Sequence, residues 1–263
     1  MISCQPTDPV RITELLNDPR RWQVRCVSAT GSTNADLAAA ARAGEPAGMV
    51  LVADQQTAGR GRFERVWESP PGVSVAMSIL LRPSRQTSTW GWLSLLVGVA
   101  VTGALRELGG GERVGLKWPN DALIDDRKIC GILCELVNTP QGDAAVCGWG
   151  INLAMTAGQL PTPQATSLLV AGLSIDKEAL IAAILDRLAE LVDRWDAGED
   201  LSAEFARSCQ TIGREVRVYL DRQAPDSASV TGRAVGIGPH GELLVEIAGR
   251  VETFPVGDVV HLR

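Results

Sequence analysis

After Gly213 the apolar residues of this 263-residue chain change their period, and that change limits what the whole chain can be. The runs EVRVYL, ASVTGRAVGI, ELLVEI and VETFPV are short and largely alternating. Glycine turns separate them, among them Pro239-His240-Gly241. Strand-length alternation punctuated by glycine describes a small all-β module. Upstream, continuous apolar runs alternate with helical stripes, which a single β module does not accommodate. The chain therefore divides into residues 1–211 and a C-terminal β unit, 212–263, with the boundary near Thr211.

The first unit reads in order as a short helix around Ile12 to Leu16, then a strand from Trp22 to Val27. A helix begins at Ser32-Thr33-Asn34-Ala35-Asp36, where Thr33 and Asp36 have the spacing of a capping box. Met49 to Ala53 and Val73 to Leu81 are strands flanking a long Gly- and Arg-rich loop, Asp54 to Pro71. Trp90 to Leu108 is an apolar helix suited to a core. Val114 to Trp118, Ala122 to Ile124, Lys128 to Val137 and Ala144 to Asn152 are strands turning at Pro119-Asn120-Asp121 and Asp125-Asp126. Asp176 to Trp195 places Leu180, Ile184, Leu188, Leu191 and Trp195 on one helical face, and Leu201 to Cys209 adds a short helix. Strand runs with unevenly interspersed helices predict an α+β fold with a mixed or antiparallel sheet.

Composition restricts the function classes. Net charge is -6 and no long Lys/Arg run occurs, which argues against a nucleic-acid partner. The N-terminus lacks a basic start followed by an apolar stretch, and no window is expected to reach the roughly 18 apolar residues of a span. A cytoplasmic protein without membrane attachment is predicted. The six cysteines, Cys4, Cys26, Cys130, Cys134, Cys147 and Cys209, form no CxxC pair and read as reduced structural thiols. With two histidines near the C-terminus and no G-x-S-x-G elbow, the chemistry must rest on Lys, Arg, Asp, Asn and backbone groups.

Four segments offer such groups. The loop Asp54-Gln-Gln-Thr-Ala-Gly59-Arg60-Gly61-Arg62-Phe-Glu-Arg65-Val-Trp67 sets glycines that admit close approach beside arginine forks and an aromatic plane, a combination able to wrap a phosphate-bearing ligand. Its arginines have no evident partner, so the loop is expected to order around an anion. It is neither a dinucleotide fingerprint nor a Walker loop. Lys117-Trp118-Pro119-Asn120-Asp121 presents an amide and a carboxylate together, which suits hydrated Mg²⁺ beside phosphates. Asp126-Arg127-Lys128-Ile129-Cys130-Gly131-Ile132-Leu133 leads from a lysine into an apolar strand broken by a glycine that invites a ligand. Gly148-Trp149-Gly150-Ile151-Asn152 alternates glycines along one strand face, a smooth wall for a flat ligand. Each also has a plain structural reading: a cap for Ser32 and Thr33, an ordinary turn, an edge lysine, tight packing.

Taken together, these segments resemble the biotin protein ligase family over Trp22 to Arg263. The family's G-R-G-R-x-G-R-x-W loop matches at Gly59, Arg60, Gly61, Arg62, Arg65 and Trp67, while K-W-P-N-D and R-K-x-x-G-I-L are intact at Lys117 to Asp121 and Arg127 to Leu133. The resemblance implies a mixed or antiparallel sheet of the biotin/lipoate ligase type with a C-terminal SH3-like β-barrel. It implies biotin contacts from Ser32, Thr33, Gln56, Arg60, Arg62 and Lys128, with Gly59, Gly131, Gly148 and Gly150 beside them. ATP would meet Arg62, Arg65, Trp67, Lys117, Asn120, Asp121, Lys128 and Asn152. Mg²⁺ would lie near Asn120 and Asp121. One departure stands out: Phe63-Glu64 replaces a basic or polar residue followed by glycine.

The implied activity is ATP-dependent activation of biotin to biotinyl-5'-AMP, followed by transfer to a lysine of a biotin carboxyl carrier domain. Lys128, Arg62 and Asp121 are the candidate catalytic residues. The implied assembly is a monomer or weak homodimer. A lipoate ligase is the rival enzyme, but Gly109-Gly110-Gly111 follows a helix as a cap rather than forming that family's signature. A non-enzymatic sensor would have no use for Lys128 beside an intact Lys117 to Asp121. Only about 30 residues precede Ser32, too few for the winged helix of the members that repress transcription.

Overall fold

The computed structural model describes residues 5–219 and 229–262. Cys4 and the side chain of Glu64 lie outside the described residues. Strands β1 (Gln23–Val27), β2 (Met49–Ala53), β3 (Ser74–Leu81), β4 (Val114–Lys117), β5 (Asp121–Ile124), β6 (Arg127–Val137) and β7 (Ala144–Asn152) form one sheet in the order β1-β2-β3-β7-β6-β5-β4. β1 and β2 run parallel, and the other neighbours are antiparallel. Every residue of β3 and β7 is buried, so both faces at the middle of the sheet are covered. This explains why those strands read as nearly unbroken apolar runs.

Helix α2 (Thr33–Arg42) covers one face, setting Leu37 and Ala41 on Met49, Leu80, Val137 and Val146. Its N-cap is Ser32, whose Oγ accepts from Ala35 N at 3.4 Å; Thr33 is the first helical residue rather than the cap. Asp36 does not complete a capping box and instead accepts from Thr30 Oγ1 at 2.5 Å. The opposite face carries α3 (Gly91–Leu105), α4 (Lys177–Asp196) and the short α5 (Ser202–Ser208), with α1 (Pro9–Leu15) against α4. α3 is apolar all round because it lies between the sheet and α4. Continued by its tighter and wider last turns to Arg113, it is long and apolar enough to cross a membrane, with a mean hydropathy of 1.3. One window thus reaches that level by composition, contrary to expectation, and with 61% of it buried it is accounted for as a core helix.

The C-terminal strands β8 (Glu215–Tyr219), β9 (Ser229–Ile237), β10 (Leu243–Ile247), β11 (Arg250–Phe254) and β12 (Asp258–His261) form a five-stranded antiparallel sheet in the order β11-β10-β9-β8-β12, the SH3-like module. Two tryptophans join it to the first sheet. Trp92 Nε1 donates to Pro239 O at 3.1 Å and Trp118 Nε1 to Gly241 O at 3.0 Å, so both indoles combine a large apolar contact with a satisfied donor. One apolar cluster runs continuously from α3 and α4 into Val216, Val218, Leu243 and Val245. Cys26, Cys130, Cys134, Cys147 and Cys209 are free thiols.

His261 ties β12 to the end of β4. Its Nε2 lies 2.9 Å from Thr211 Oγ1, which accepts from Trp118 N at 3.0 Å. Its Nδ1 lies 3.3 Å from an Arg214 nitrogen. Arginine only donates, so Nδ1 accepts and Nε2 carries the proton. Burial first, then the charges of Lys117 and Arg214, pulls the imidazole pKa down from 6.5 to about 4. Between these values the unfolded chain binds a proton that the folded chain refuses, so this contribution is present above pH 6.5 and lost as pH falls toward 4. Urea denaturation midpoints should therefore drop over that window, and His261→Gln should flatten the drop. An equal acid dependence in the variant would remove His261 as its source.

Candidate functional site

A cavity of about 300 Å³ opens between the N-terminus of α2, the middle of β6 and β7, and the loop from Asp54 to Pro71. Its floor exists because three positions of β6 and β7 lack side chains: Gly131 pairs with Gly150, and Gly148 stands opposite Leu133. A Cβ on Gly150 would stand 2.2 Å from Trp67 Nε1, and one on Gly131 2.9 Å from Trp67 Cζ3. A Cβ on Gly148 would stand 1.9 Å from Asn34 Oδ1. The flat group on the glycines is thus the chain's own indole, with the Asn34 amide beside it.

The loop is a strap folded back on itself. Gln56 N donates to Ser69 O at 3.3 Å, Trp67 N to Gly59 O at 2.9 Å and Gly61 N to Arg65 O at 2.7 Å. Gly59 lies beneath the strap, outside the cavity wall. A Cβ there would meet Trp67 O at 2.4 Å, so a side chain at this position would obstruct the fold-back. Phe63, with φ 53° and ψ 43°, takes the left-handed turn. The positive φ thus sits one residue before Glu64, where the family's glycine is expected, and Phe63 is stabilised under Arg62 and Arg65, whose guanidinium carbons lie 4.8 and 5.8 Å from its ring centre.

At the α2 end, Gln56 Oε1 accepts from Thr33 N at 2.7 Å and lies 3.0 Å from Thr33 Oγ1. Ser78 Oγ lies 2.7 Å from Thr33 Oγ1 and 2.6 Å from Asn34 Oδ1, and Asn34 Nδ2 donates to Glu135 Oε2 at 2.7 Å. This buried polar row can recognise only a ligand that supplies matching donors and acceptors. At the other end, Lys128 Nζ stands 2.5 Å from Asp121 Oδ1 and 5.7 Å from the Trp67 ring centre. That Asp121 oxygen is buried and meets no hydrogen-bond geometry, so its attraction to the ammonium is Coulombic. Asn120 donates through Nδ2 to Ile132 O at 2.8 Å and offers Oδ1 to Arg62 at 3.4 Å.

The strap arginines have partners that their sequence neighbourhood does not reveal, contrary to the expectation of a loop awaiting an anion. Arg60 pairs with Glu135 of β6 at 3.1 Å. Arg65 pairs with Asp258 of β12, while Arg62 donates to Gly257 O at 3.2 Å and lies 3.9 Å from Asp258. Burial lowers the Arg62 pKa, with Asp258 and Asp121 opposing that shift. These are carboxylate contacts of the kind that phosphate oxygens form with guanidinium groups. Among the described residues no group of three or more His, Cys, Asp or Glu gathers, and Asn120 with Asp121 supplies one amide oxygen and one carboxylate. Such a donor pair fits a Mg²⁺ carried in on phosphates, not a resident ion.

The structure brings Ser32, Thr33, Gln56, Arg60, Arg62, Arg65, Trp67, Lys117, Asn120, Asp121, Lys128, Gly131, Gly148, Gly150 and Asn152 to this one wall, leaving out Gly59. Asn152 uses Nδ2 to hold Thr166 O at 2.9 Å, anchoring the segment that carries Pro161, Thr162 and Ala165 over Lys128. Sequence reasoning missed Asn34, Asp258 and that segment. Ser78 and Glu135 were also missed, although a serine and a glutamate in the middle of largely apolar strands were visible signals.

Residues 30–152 match the Biotin/lipoate A/B protein ligase family, and residues 211–262 match the Biotin protein ligase C terminal domain. The chain is 37% identical over 257 residues to the biotin--[acetyl-CoA-carboxylase] ligase of Mycobacterium tuberculosis, covering 95% of this chain and 93% of that one. The chain belongs to the biotin protein ligase family. It is 32% identical to the bifunctional ligase/repressor BirA of Escherichia coli, across 81% of this chain and 66% of that protein. Its fold is similar to the biotin protein ligase of Aquifex aeolicus solved in complex with biotin and ATP, at a TM-score of 0.75 and 26% identity, covering 92% of this chain and 99% of that one.

For this biotin protein ligase family member, the glycine floor gives a direct test. Gly150→Ala places a methyl where the Trp67 indole lies. Overpacking of this kind costs about 1–3 kcal/mol. The strap, unlike the central strand, can yield. Trypsin should then cut at Arg60, Arg62 and Arg65 roughly tenfold faster or more, because strap opening takes up the cost. Unchanged cleavage in a folded variant would mean that the indole does not rest on Gly150.

Proposed function

We propose that this chain is a biotin--[biotin carboxyl carrier protein] ligase, which converts biotin and ATP to biotinyl-5'-AMP and pyrophosphate and then transfers the biotinyl group to a carrier lysine. The observation that carries the reading is the position of Lys128, on the cavity wall between the glycine floor and the Lys117 to Asp121 turn. In the first step a carboxylate oxygen of biotin attacks the α-phosphorus and the bond to pyrophosphate breaks. Two anions must approach, and at an effective dielectric of about 20 their repulsion at 4 Å is about 4 kcal/mol. An ammonium between them removes much of that barrier. In the second step the carrier amine attacks the acyl carbon and AMP departs.

The polar row of Thr33 with Gln56, the neighbouring Ser32 and Arg60, and the surface around Gly131, Gly148 and Gly150 are the biotin end of this reading. Gly59 contributes by folding the strap. Arg62, Arg65, Lys117, Asn120 and Asn152 surround the nucleotide end, with Trp67 between the two. For ATP to be held, Arg62 and Arg65 exchange Asp258 for phosphate oxygens. Mg²⁺ enters as part of the ATP substrate and neutralises pyrophosphate charge, with Asn120 and Asp121 as its nearest protein oxygens. Asp121, once parted from Lys128, is the group that orients or deprotonates the carrier amine.

The acceptor in this reading is the biotin carboxyl carrier domain of a carboxylase, and the enzyme works in the cytoplasm as a monomer or weak homodimer, without nucleic acid or membrane. Residues 1–211 are the catalytic unit and 212–263 the C-terminal unit, which contributes Asp258 to the clamp. Lys128→Ala should depress biotin-dependent pyrophosphate exchange by several orders of magnitude, a loss of about 3–5 kcal/mol of transition-state stabilisation. Synthetic biotinyl-adenylate should restore part of the labelling. A folded variant that exchanges pyrophosphate at the parent rate would refute the catalytic role.

A further inference from the structure

The side chain of Lys177, the first residue of α4, is 4% exposed and does not line the cavity. Its Nζ donates to Gln5 O at 2.7 Å and to Asp54 Oδ1 at 3.2 Å, and stands 3.9 Å from Glu178 Oε1. Asp54 also accepts from Thr7, at 3.0 Å from the backbone N and 2.5 Å from Oγ1. Burial and then the charge of Asp54 push the neighbouring Cys26 thiol up to about 12, as expected of a dry pocket with a carboxylate in it.

Desolvating an ammonium and a carboxylate is a poor way to gain stability, since apolar residues of similar volume serve as well or better. What a buried pair supplies is a fixed geometry. The element fixed here is the start of the strap. Asp54 follows the last residue of β2 and is tied to β1 through Val27 O at 3.2 Å. Gln55 O next accepts from Thr30 N at 3.1 Å, and Gln56 then presents its amide oxygen to Thr33. Only Gln55 separates Asp54 from Gln56, and its carbonyl is itself held by Thr30 N, which leaves little slack between the two.

We propose that Lys177 and Asp54 are positioning residues for biotin recognition: the buried pair, braced by Thr7, sets where the strap leaves β2 and so holds the Gln56 amide against Thr33. This rests on the ligase reading and adds a third element, the N-terminal segment with α4, to the parts that shape its biotin end. The pair touches no reacting atom. Its loss should therefore appear in biotin binding and leave nucleotide chemistry alone.

The test uses the full chain in biotin-dependent pyrophosphate exchange, with the KM values for biotin and ATP measured separately from kcat. The double variant Asp54→Asn/Lys177→Met removes both charges together, and the buried Glu178 keeps Arg11 at 3.8 Å and the Asp8 amide at 3.4 Å, so no ion is left buried alone and the unfolding midpoint should stay close to the parent's. The biotin KM should rise about tenfold, as small misplacements of a binding group do. The ATP KM and kcat should stay within about twofold of the parent values. Asp54→Glu, which keeps the charge pair but lengthens one arm, should also raise the biotin KM, and it serves if the double variant does not fold. An unchanged biotin KM in a folded variant, or biotin and ATP values rising together, would overturn the positioning role. Absence of exchange in the parent would instead overturn the ligase reading itself.

Discussion

The site depends on an absence of side chains in the middle of a sheet whose central strands are covered on both faces. β3 and β7 are buried along their whole length, so a cavity can open there only if some positions contribute no volume. Gly131, Gly148 and Gly150 do this, and the space they leave is shared by the Trp67 indole and the Asn34 amide. Close packing makes such a floor unforgiving, because one methyl at Gly148 would overlap Asn34 Oδ1. The polar row above it and the cationic end beside it are thereby held at fixed separation. That separation lets a ligand with a polar ring system at one end and a carboxylate at the other be met at both.

The strap closes this cavity by borrowing charge from both sheets. Arg60 is held by Glu135 of the first sheet, and Arg62 and Arg65 by Gly257 and Asp258 of the second. The small C-terminal module is therefore part of the site's wall, fixed there by Trp92 and Trp118. Arg60 and Arg65 stay about half exposed in these pairs, so each pair adds only modestly to stability.

Much of this was legible in the sequence, for physical reasons that can be named. Strand runs such as Ser74–Leu81 are apolar because both faces are covered, and Lys117 to Asp121 and Arg127 to Leu133 are compact motifs whose residues stay together in space. Gly59 shows the limit: nothing in its neighbourhood reveals that a Cβ there would meet Trp67 O of the folded-back strap. Ser32 rather than Thr33 caps α2, because two adjacent hydroxyl residues at a helix start can each cap it. Asp258 was not legible, since it meets Arg65 across 193 positions and nothing local marks it. The burial of Lys177 was not legible either, since it opens an amphipathic helix and meets Asp54 across 123 positions.

The central claim is that this cavity joins biotin to a protein lysine by way of an adenylate. Its most direct test is mass spectrometry of a biotin carboxyl carrier domain after incubation with the full chain, biotin, ATP and Mg²⁺. The account predicts a mass gain of one biotinyl group on a single lysine, dependent on ATP. A gain with lipoate but not with biotin, or no gain under any of these conditions, would contradict it.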